Sequence, residues 1–491
     1  MLRQLLATFF LLFISFTINA EAPTSTKPNI VFLYADDFAY WAVNALGNEI
    51  IQTPNLDKLV AQGVSFSNAF NMGGWNGAIC IASRSMLISG RSIWKANEIN
   101  RQWGEGNTAA HSQTWGRLMS NAGYNTFATG KWHIQADPEQ VFEETVSINP
   151  GGMPPDHLTG TPGLYDRVRE AYANGEDFYA LLPPGYNRPL SETDDSWTAS
   201  DPVHNGYWTD GTHWSEVQRG DAINFIDAAS RSEEPFFLYF PLTAPHKPVQ
   251  PHPRFIGKSK LGLYGDFVMQ VDWTVGQVMQ ALESAGVEKN TLLIYTSDNG
   301  SFMYRRGADE TGDHVSDSTV QAYNEKHHTA NGDLRGTKAD VWEAGHRVPF
   351  FARWPGVIEA GSTCEKNTAH VDLFATCAEI VGGTLLKNSA EDSFSWLPLF
   401  KGGDWSRPRA PVINHSAAGM FALRSGKWKL IAGNGSGGRQ APKGRPFQKP
   451  FMLFDLQADL GEKNDLAKAK PELVEELTVK LESIRSSGRS R

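Results

Sequence analysis

Cysteine is scarce: 491 residues hold three, at positions 80, 364 and 377, too few for a disulfide framework to hold the fold together. Cys364 and Cys377 could pair, which their spacing leaves open, and Cys80 is then left over in a stretch rich in small and polar residues. Excess positive charge is also missing. Lys and Arg total 45 against 54 Asp and Glu, a net charge of −9, so a nucleic acid backbone finds no electrostatic hold and is excluded as a partner. Disorder is excluded by 41% hydrophobic and 20% charged residues. Internal repeats and low-complexity segments are absent. One strongly apolar segment opens the chain, where Arg3 precedes Leu5 to Phe16, shorter than the roughly 20 residues a membrane helix needs. With Thr17 to Ala20 behind it, residues 1–20 read as a secretory signal cleaved after Ala20. The expectation is an exported protein, periplasmic or secreted, with no stable membrane anchor.

What is present is a repeated pattern of apolar runs that end in polar residues. Ile30 to Tyr34 stops at Ala35, Asp36 and Asp37, and Asn125 to Thr129 stops at Gly130, Lys131, Trp132 and His133. Phe236 to Phe240 leads to Thr243, Ala244, Pro245 and His246, and Leu292 to Thr296 to Ser297, Asp298, Asn299 and Gly300. Continuous apolar strands of this kind belong to a buried parallel sheet, whose ligands bind at the carboxyl ends of the strands. Val268, Val271, Val275, Val278 and Leu282 recur at helical spacing between the last two strands and predict a covering helix. The fold class is α/β, a large mostly parallel sheet sandwiched by helices. Residues 21–405 form the main domain. Residues 406–491 form a smaller α+β unit, with short strands at Met420 to Leu423, Trp428 to Ile431 and Met452 to Leu456 and a helix from Pro471 to about Ile484. Residues 135–215 and 302–333 lack regular patterning and are expected to wall a pocket; His314, His327 and His328 lie in the second, where contact with substrate and a solvated loop both stay open.

Asp36, Asp37, Asp298 and Asn299 offer hard oxygen ligands at two strand ends, suited to Ca²⁺ or Mg²⁺; the same pairs also occur in ordinary turns and caps. Cys80-Ile81-Ala82-Ser83-Arg84 leads through Ser89-Gly90-Arg91 in a manner that predicts a loop opening into a helix. A nucleophile at a helix start can attack an oxyanion ester while the helix dipole and the Arg84 fork offset negative charge. On the residues alone a buried structural cysteine stays open.

The segment Cys80 to Arg84 with Ser89-Gly90-Arg91 resembles the signature of formylglycine-dependent sulfatases of the alkaline-phosphatase superfamily. Ala82 stands where the commonest signature has proline, a variant that also occurs in the family. Further segments resemble family motifs in the same order: Pro28 to Val31 with Asp36-Asp37, Gly130 to His133, Ala244-Pro245-His246, Ser297 to Gly300, Gly336-Thr337-Lys338 and Gly345 to Pro349. Leu453 to Leu456, Glu462 and Asn464 to Leu466 resemble the family's terminal unit.

The resemblance implies a sulfate ester hydrolase, acting on a sulfated carbohydrate, whose Cys80 is oxidised to formylglycine (3-oxoalanine) by a sulfatase-maturating enzyme. It implies one divalent cation, Ca²⁺ before Mg²⁺, held by Asp36, Asp37, Asp298 and Asn299 with position 80. It assigns Arg84, Lys131 and Lys338 to the sulfate oxygens, His246 with Lys338 to protonation of the departing alcohol, and His133 to release of sulfate from the hydrated aldehyde. Asp298 is the implied acceptor of the attacking hydroxyl's proton. Fifteen tryptophans and the two irregular segments fit a sugar-binding cleft, which puts a sulfated carbohydrate first and a small aryl or alkyl sulfate second. Two other classes stay open: a metal-dependent phosphodiesterase or phosphonate hydrolase of the same superfamily, and a non-catalytic glycan-binding protein.

Overall fold

The computed structural model describes residues 27–149, 151, 164–181, 187–188, 208–209, 212–246, 249, 251–259, 261–300 and 331–491. Its centre is an eight-stranded sheet, made of β1 (Asn29–Ala35), β2 (Val64–Phe66), β3 (Asn125–Lys131), β4 (Glu144–Asn149), β5 (Phe236–Pro241), β6 (Thr291–Ser297), β7 (Phe350–Arg353) and β8 (Ser362–Cys364). The strand order is β8-β2-β7-β6-β1-β5-β3-β4. β7 runs antiparallel to both of its neighbours, and the remaining pairs are parallel.

All four apolar runs therefore lie side by side as β6, β1, β5 and β3. Their alternate residues face opposite ways, so each strand supplies two cores. Val31, Leu33, Leu238, Phe240 and Leu293 pack with Val268, Val271, Val275 and Val278. On the other face Ile30, Phe32, Phe237, Tyr239 and Ile294 pack with Leu87, Trp115, Met119, Phe374 and Cys377. The covering helices include α1 (Ile79–Ser89), α2 (Trp115–Asn121), α3 (Trp214–Ala229), α4 (Gly262–Ser284) and α5 (Asp372–Ile380). The predicted helix between the last two apolar runs is α4. β5 and β6, which it joins, are not neighbours; both pair with β1 between them. The large mostly parallel sheet between helices is as expected from the sequence.

The terminal unit is an antiparallel meander of β9 (Val412–His415), β10 (Phe421–Ser425), β11 (Trp428–Ile431) and β12 (Met452–Asp455), followed by α6 (Pro471–Ser487). Leu423, Leu430, Leu453, Leu477 and Leu481 share a core with Ala82 and Met86 of α1. Helix α1 is thus held between the sheet and the terminal unit.

Two details correct the sequence reading, and a third concerns a pairing it leaves open. The stretch 135–215 is not wholly irregular: it contributes edge strand β4 and a helix at Leu164–Asn174. Most side chains of β4 are only partly buried, so the apolar signal that marks a central strand is missing. Gly130 and Lys131 belong to β3 rather than to the loop beyond it. Cys364 and Cys377 are free thiols, on β8 and in α5. Residues 1–20 and His314, His327 and His328 lie outside the described residues. No helix among the described residues is long and apolar enough to cross a membrane.

A buried ion pair inside the terminal unit also meets Glu343 of the main domain, 3.9 Å from Lys429 Nζ. Lys429 Nζ of β11 lies 2.9 Å from Glu462 Oε1, both almost fully buried, and Glu462 Oε2 accepts the Glu343 N–H at 2.7 Å. Removing one partner of such a pair strands the other charge in the interior. Lys429→Ala should therefore lower unfolding free energy by about 3–5 kcal/mol in chemical denaturation. Lys427→Ala, which breaks the more exposed pair to Asp455, should cost no more than about 1 kcal/mol.

Candidate active site

Strand register builds the site. Ala35 pairs with Ser297, so the residues that follow β1 and β6, Asp36-Asp37 and Asp298-Asn299, leave the sheet together. Asp298 N donates to Ala35 O at 3.0 Å, Asp37 N to Asp298 Oδ1 at 3.2 Å and Phe38 N to Ser297 Oγ at 2.9 Å. Tyr264 of α4 reaches the same turn, its hydroxyl donating to Asp37 O at 2.9 Å. These bonds hold Asp37 at φ 60°, a left-handed conformation that costs a residue with a Cβ about 1–3 kcal/mol. Beside them, Gly130 of β3 has φ 119°, and a Cβ there would overlap Pro241 O. That close approach lets the end of β3 deliver Lys131 to the group. His133, just beyond, also has positive φ, 59°.

Cys80 is the second residue of α1. Its Sγ donates to Asp36 Oδ1 at 3.3 Å and Asn299 Oδ1 at 3.6 Å, and Lys338 Nζ donates to the sulfur at 3.1 Å. Lys338 also reaches Asp37 Oδ1 at 2.6 Å and His246 Nε2 at 3.4 Å. Arg84, one turn further along α1, donates to Asp298 Oδ2 through Nε and Nη2, at 3.2 and 3.0 Å, and to Lys131 O through Nη1. Lys131 Nζ is paired with Asp36 Oδ2. His246 Nε2 stands 3.5 Å from Asp37 Oδ2.

Burial and charge set the proton affinities. Asp36 is fully buried, yet Lys131, His246 and Arg84 hold its carboxyl well below the usual range. Burial and then Asp36 raise Asp298 to about 7 in spite of Arg84. Burial followed by Asp298 and Asp36 pushes the Cys80 thiol well up, the opposite of the setting that activates a thiolate. Lys338 is raised, because Asp37 and Cys80 outweigh its burial. His246 is lowered to about 4 by burial and then Lys131. His133 is lowered well below its ordinary value by burial, Lys131 and Arg84.

The donor set fits a hard divalent cation. Ligand atoms of Asp36, Asp37, Cys80 and His246 all lie within 4.8 Å of one another, and carboxylate oxygens are what Ca²⁺ and Mg²⁺ select. Asp298 and Asn299 adjoin this group, but their side chains are engaged differently. Both Asp298 oxygens accept hydrogen bonds, from Arg84 and from Asp37 N, while Asn299 Nδ2 donates to Asp37 Oδ1 at 2.6 Å and its Oδ1 faces Cys80.

The residues that the resemblance implies for the metal and the catalysis thus lie in one neighbourhood: Asp36, Asp37, Cys80, Arg84, Lys131, His133, His246, Asp298, Asn299 and Lys338. Sequence reasoning missed the residues that fix them. Tyr34 hydrogen-bonds Ser83 Oγ at 2.9 Å, and the Arg84 guanidinium lies over its ring at 5.2 Å. Tyr34 sits inside an apolar run, and Tyr264 at the start of α4, so neither carried a functional signal. His246 was assigned to proton transfer; its proximity to the carboxylates as a possible ligand was not foreseen.

A family model described as Sulfatase matches residues 28–383. An N-acetylgalactosamine-6-O-sulfatase of Bacteroides thetaiotaomicron is 30% identical over 502 residues, covering 94% of each chain. A steryl-sulfatase of Rattus norvegicus is 25% identical over 428 residues, 76% of this chain and 70% of the relative. A solved structure, titled for the metabolism of multiple glycosaminoglycans by Bacteroides thetaiotaomicron, superposes with a TM-score of 0.71 at 26% identity, covering 94% of this chain and 100% of the other.

A cation that binds only the folded state stabilises it, by about 2.7 kcal/mol at one hundred times its Kd. Added Ca²⁺ or Mg²⁺ should therefore raise the melting temperature of the metal-stripped protein. Asp37→Asn, which removes a ligand charge with little change of shape, should erase most of that rise. An equal rise in the variant would mean that the cation binds elsewhere.

Proposed function

Because this chain belongs to the sulfatase family and is a sulfuric ester hydrolase, we propose that it removes sulfate from a sulfated carbohydrate, using formylglycine made from Cys80 and one divalent cation, Ca²⁺ before Mg²⁺. The carbohydrate rests on the named activity of the bacterial relative. The observation that carries the chemistry is the position of Cys80 Sγ, at the start of α1 and between Asp36 Oδ1 and Lys338 Nζ. An attacking oxygen placed there meets carboxylates on one side and cations on the other.

The matured side chain, a hydrated aldehyde, supplies one hydroxyl to attack sulfur and a second whose deprotonation expels sulfate. Asp36, Asp37, Asp298 and Asn299, with position 80, would hold the cation, which would supply Lewis-acid polarisation of a sulfate oxygen. In this reading Arg84, Lys131 and Lys338 offset the charge that grows on the sulfate oxygens, a preorganised arrangement that needs no movement during reaction. Lys338, held charged beside Asp37, is the proton reservoir, and His246, in contact with its Nζ through Nε2, relays a proton to the departing alcohol. Asp298 accepts the proton of the attacking hydroxyl, and His133 takes the proton whose loss releases sulfate. The proposal extends to location: a protein exported through residues 1–20 to the periplasm or beyond, without a stable membrane anchor, and matured by a sulfatase-maturating enzyme.

Mass spectrometry of the peptide spanning residue 80, from protein made in its native host, should find oxygen in place of sulfur with two hydrogens lost. Unmodified cysteine in all of the protein would remove the formylglycine mechanism. The N-terminus of the same material should begin at Glu21 if export occurs as proposed. Matured enzyme should release sulfate from sulfated oligosaccharides, while Cys80→Ala should lose at least about 10³-fold in kcat, as expected when a covalent nucleophile is removed. Faster turnover of phosphate diesters or phosphonates than of any sulfate ester would contradict the substrate assignment.

A further inference from the structure

Lys338 is the contact shared by Asp37, Cys80 and His246, yet its own backbone lies in no helix or strand. Something outside regular structure must aim it. The turn closes on itself through Asp340: Asp340 N donates to Thr337 O at 3.0 Å, and Thr337 N to Asp340 Oδ2 at 3.0 Å. The other carboxylate oxygen faces the terminal unit, where Oδ1 accepts from Arg439 N at 2.5 Å and Gln440 N at 3.1 Å. Further bonds run alongside, from Val341 N to Ser436 O at 2.7 Å and from Ala417 N to Ala339 O at 3.0 Å.

Packing at this seam is close. A Cβ on Gly438 would overlap Ala339 O and Asp340 Oδ1. Between Lys338 and Asp340, Ala339 has φ 81°, a left-handed conformation that a residue with a Cβ keeps only when its surroundings fix it. Asp340 is fully buried and makes no ion pair within 4 Å among the described residues. Its two oxygens are devoted to three backbone N–H groups, one on the Lys338 turn and two on the terminal unit.

We infer that Asp340 is a positioning residue for sulfate ester hydrolysis: it clamps the Lys338 turn to the Ser436–Gln440 segment, so the terminal unit sets where the Lys338 ammonium stands. The inference rests on the reading of Lys338 as part of the reaction centre. The backbone groups are all donors, so an amide at position 340 must turn an NH₂ toward at least one of them. Asp340→Asn should release one side of the clamp while keeping the volume filled.

The test is a double-mutant cycle in full-length, matured protein, on a sulfate ester that the wild type turns over. Asp340→Asn should lower kcat about 10- to 100-fold, the scale of a small misplacement of a catalytic group. In a Lys338→Ala background the same change should alter kcat by less than about twofold, since the group it aims is gone. An equal loss in both backgrounds, or an undiminished kcat in the single variant, overturns the inference. If Asp340→Asn does not fold, Gly438→Ala presses on the same carbonyl and carboxylate, and its cycle decides by the same criteria. Amide hydrogen exchange needs no substrate and should quicken at Thr337, Arg439 and Gln440 in Asp340→Asn. A wild type with no sulfatase activity sinks the proposed function; exchange then decides the clamp alone, with unchanged protection counting against it.

Discussion

Three carboxylates and three cations lie buried together where β1, β3 and β6 end and α1 begins, and removing one partner of a buried pair leaves the other charge uncompensated. Asp36 answers to Lys131, Asp37 to Lys338 and Asp298 to Arg84. No partner can be removed without stranding another, so the geometry of all six is one geometry. That mutual constraint places Cys80 Sγ among hydrogen-bonding groups from several elements.

The sheet supplies the precision that such a cluster needs. β1 lies between β5 and β6 with their ends in register, so its own terminal turn is bonded on both sides: Asp36 N to Ala244 O at 3.1 Å, and Asp298 N back to Ala35 O at 3.0 Å. Cores on both faces fix the strands. The strain at Asp37 and His133 is carried by that rigidity, as is usual where backbone is bent to aim a side chain. Helix α1 is nearly all buried, so Cys80 and Arg84 are positioned by packing as much as by hydrogen bonds.

Much of this was legible because strand ends leave a one-dimensional trace. Runs such as Ile30 to Tyr34 and Leu292 to Thr296 announce central strands, and the polar pairs behind them announce where chemistry can sit. β4 left no such trace, since an edge strand with partly exposed side chains has no continuous apolar run. The motif around Lys338 was legible as a motif, but its anchor was not: Asp340 bonds to Arg439 and Gln440 across 99 and 100 residues, and nothing in a local pattern reports a contact of that span. Tyr34 and Tyr264 were hidden for a different reason. Their rings fill apolar positions while their hydroxyls do the polar work, and sequence patterning sees only the rings.

The seam between the main domain and the terminal unit also bears on the order in which the protein comes into being. His415 Nδ1 meets Gly74 O across 341 residues, beside the loop that leads into α1, and the Ser436–Gln440 segment meets the Lys338 turn. Strand β1 is synthesised early, but these two contacts cannot close until nearly the whole polypeptide has emerged. Competence is therefore a late event in the life of each molecule. A chain cut short before residue 415 lacks both seams however well its sheet has formed.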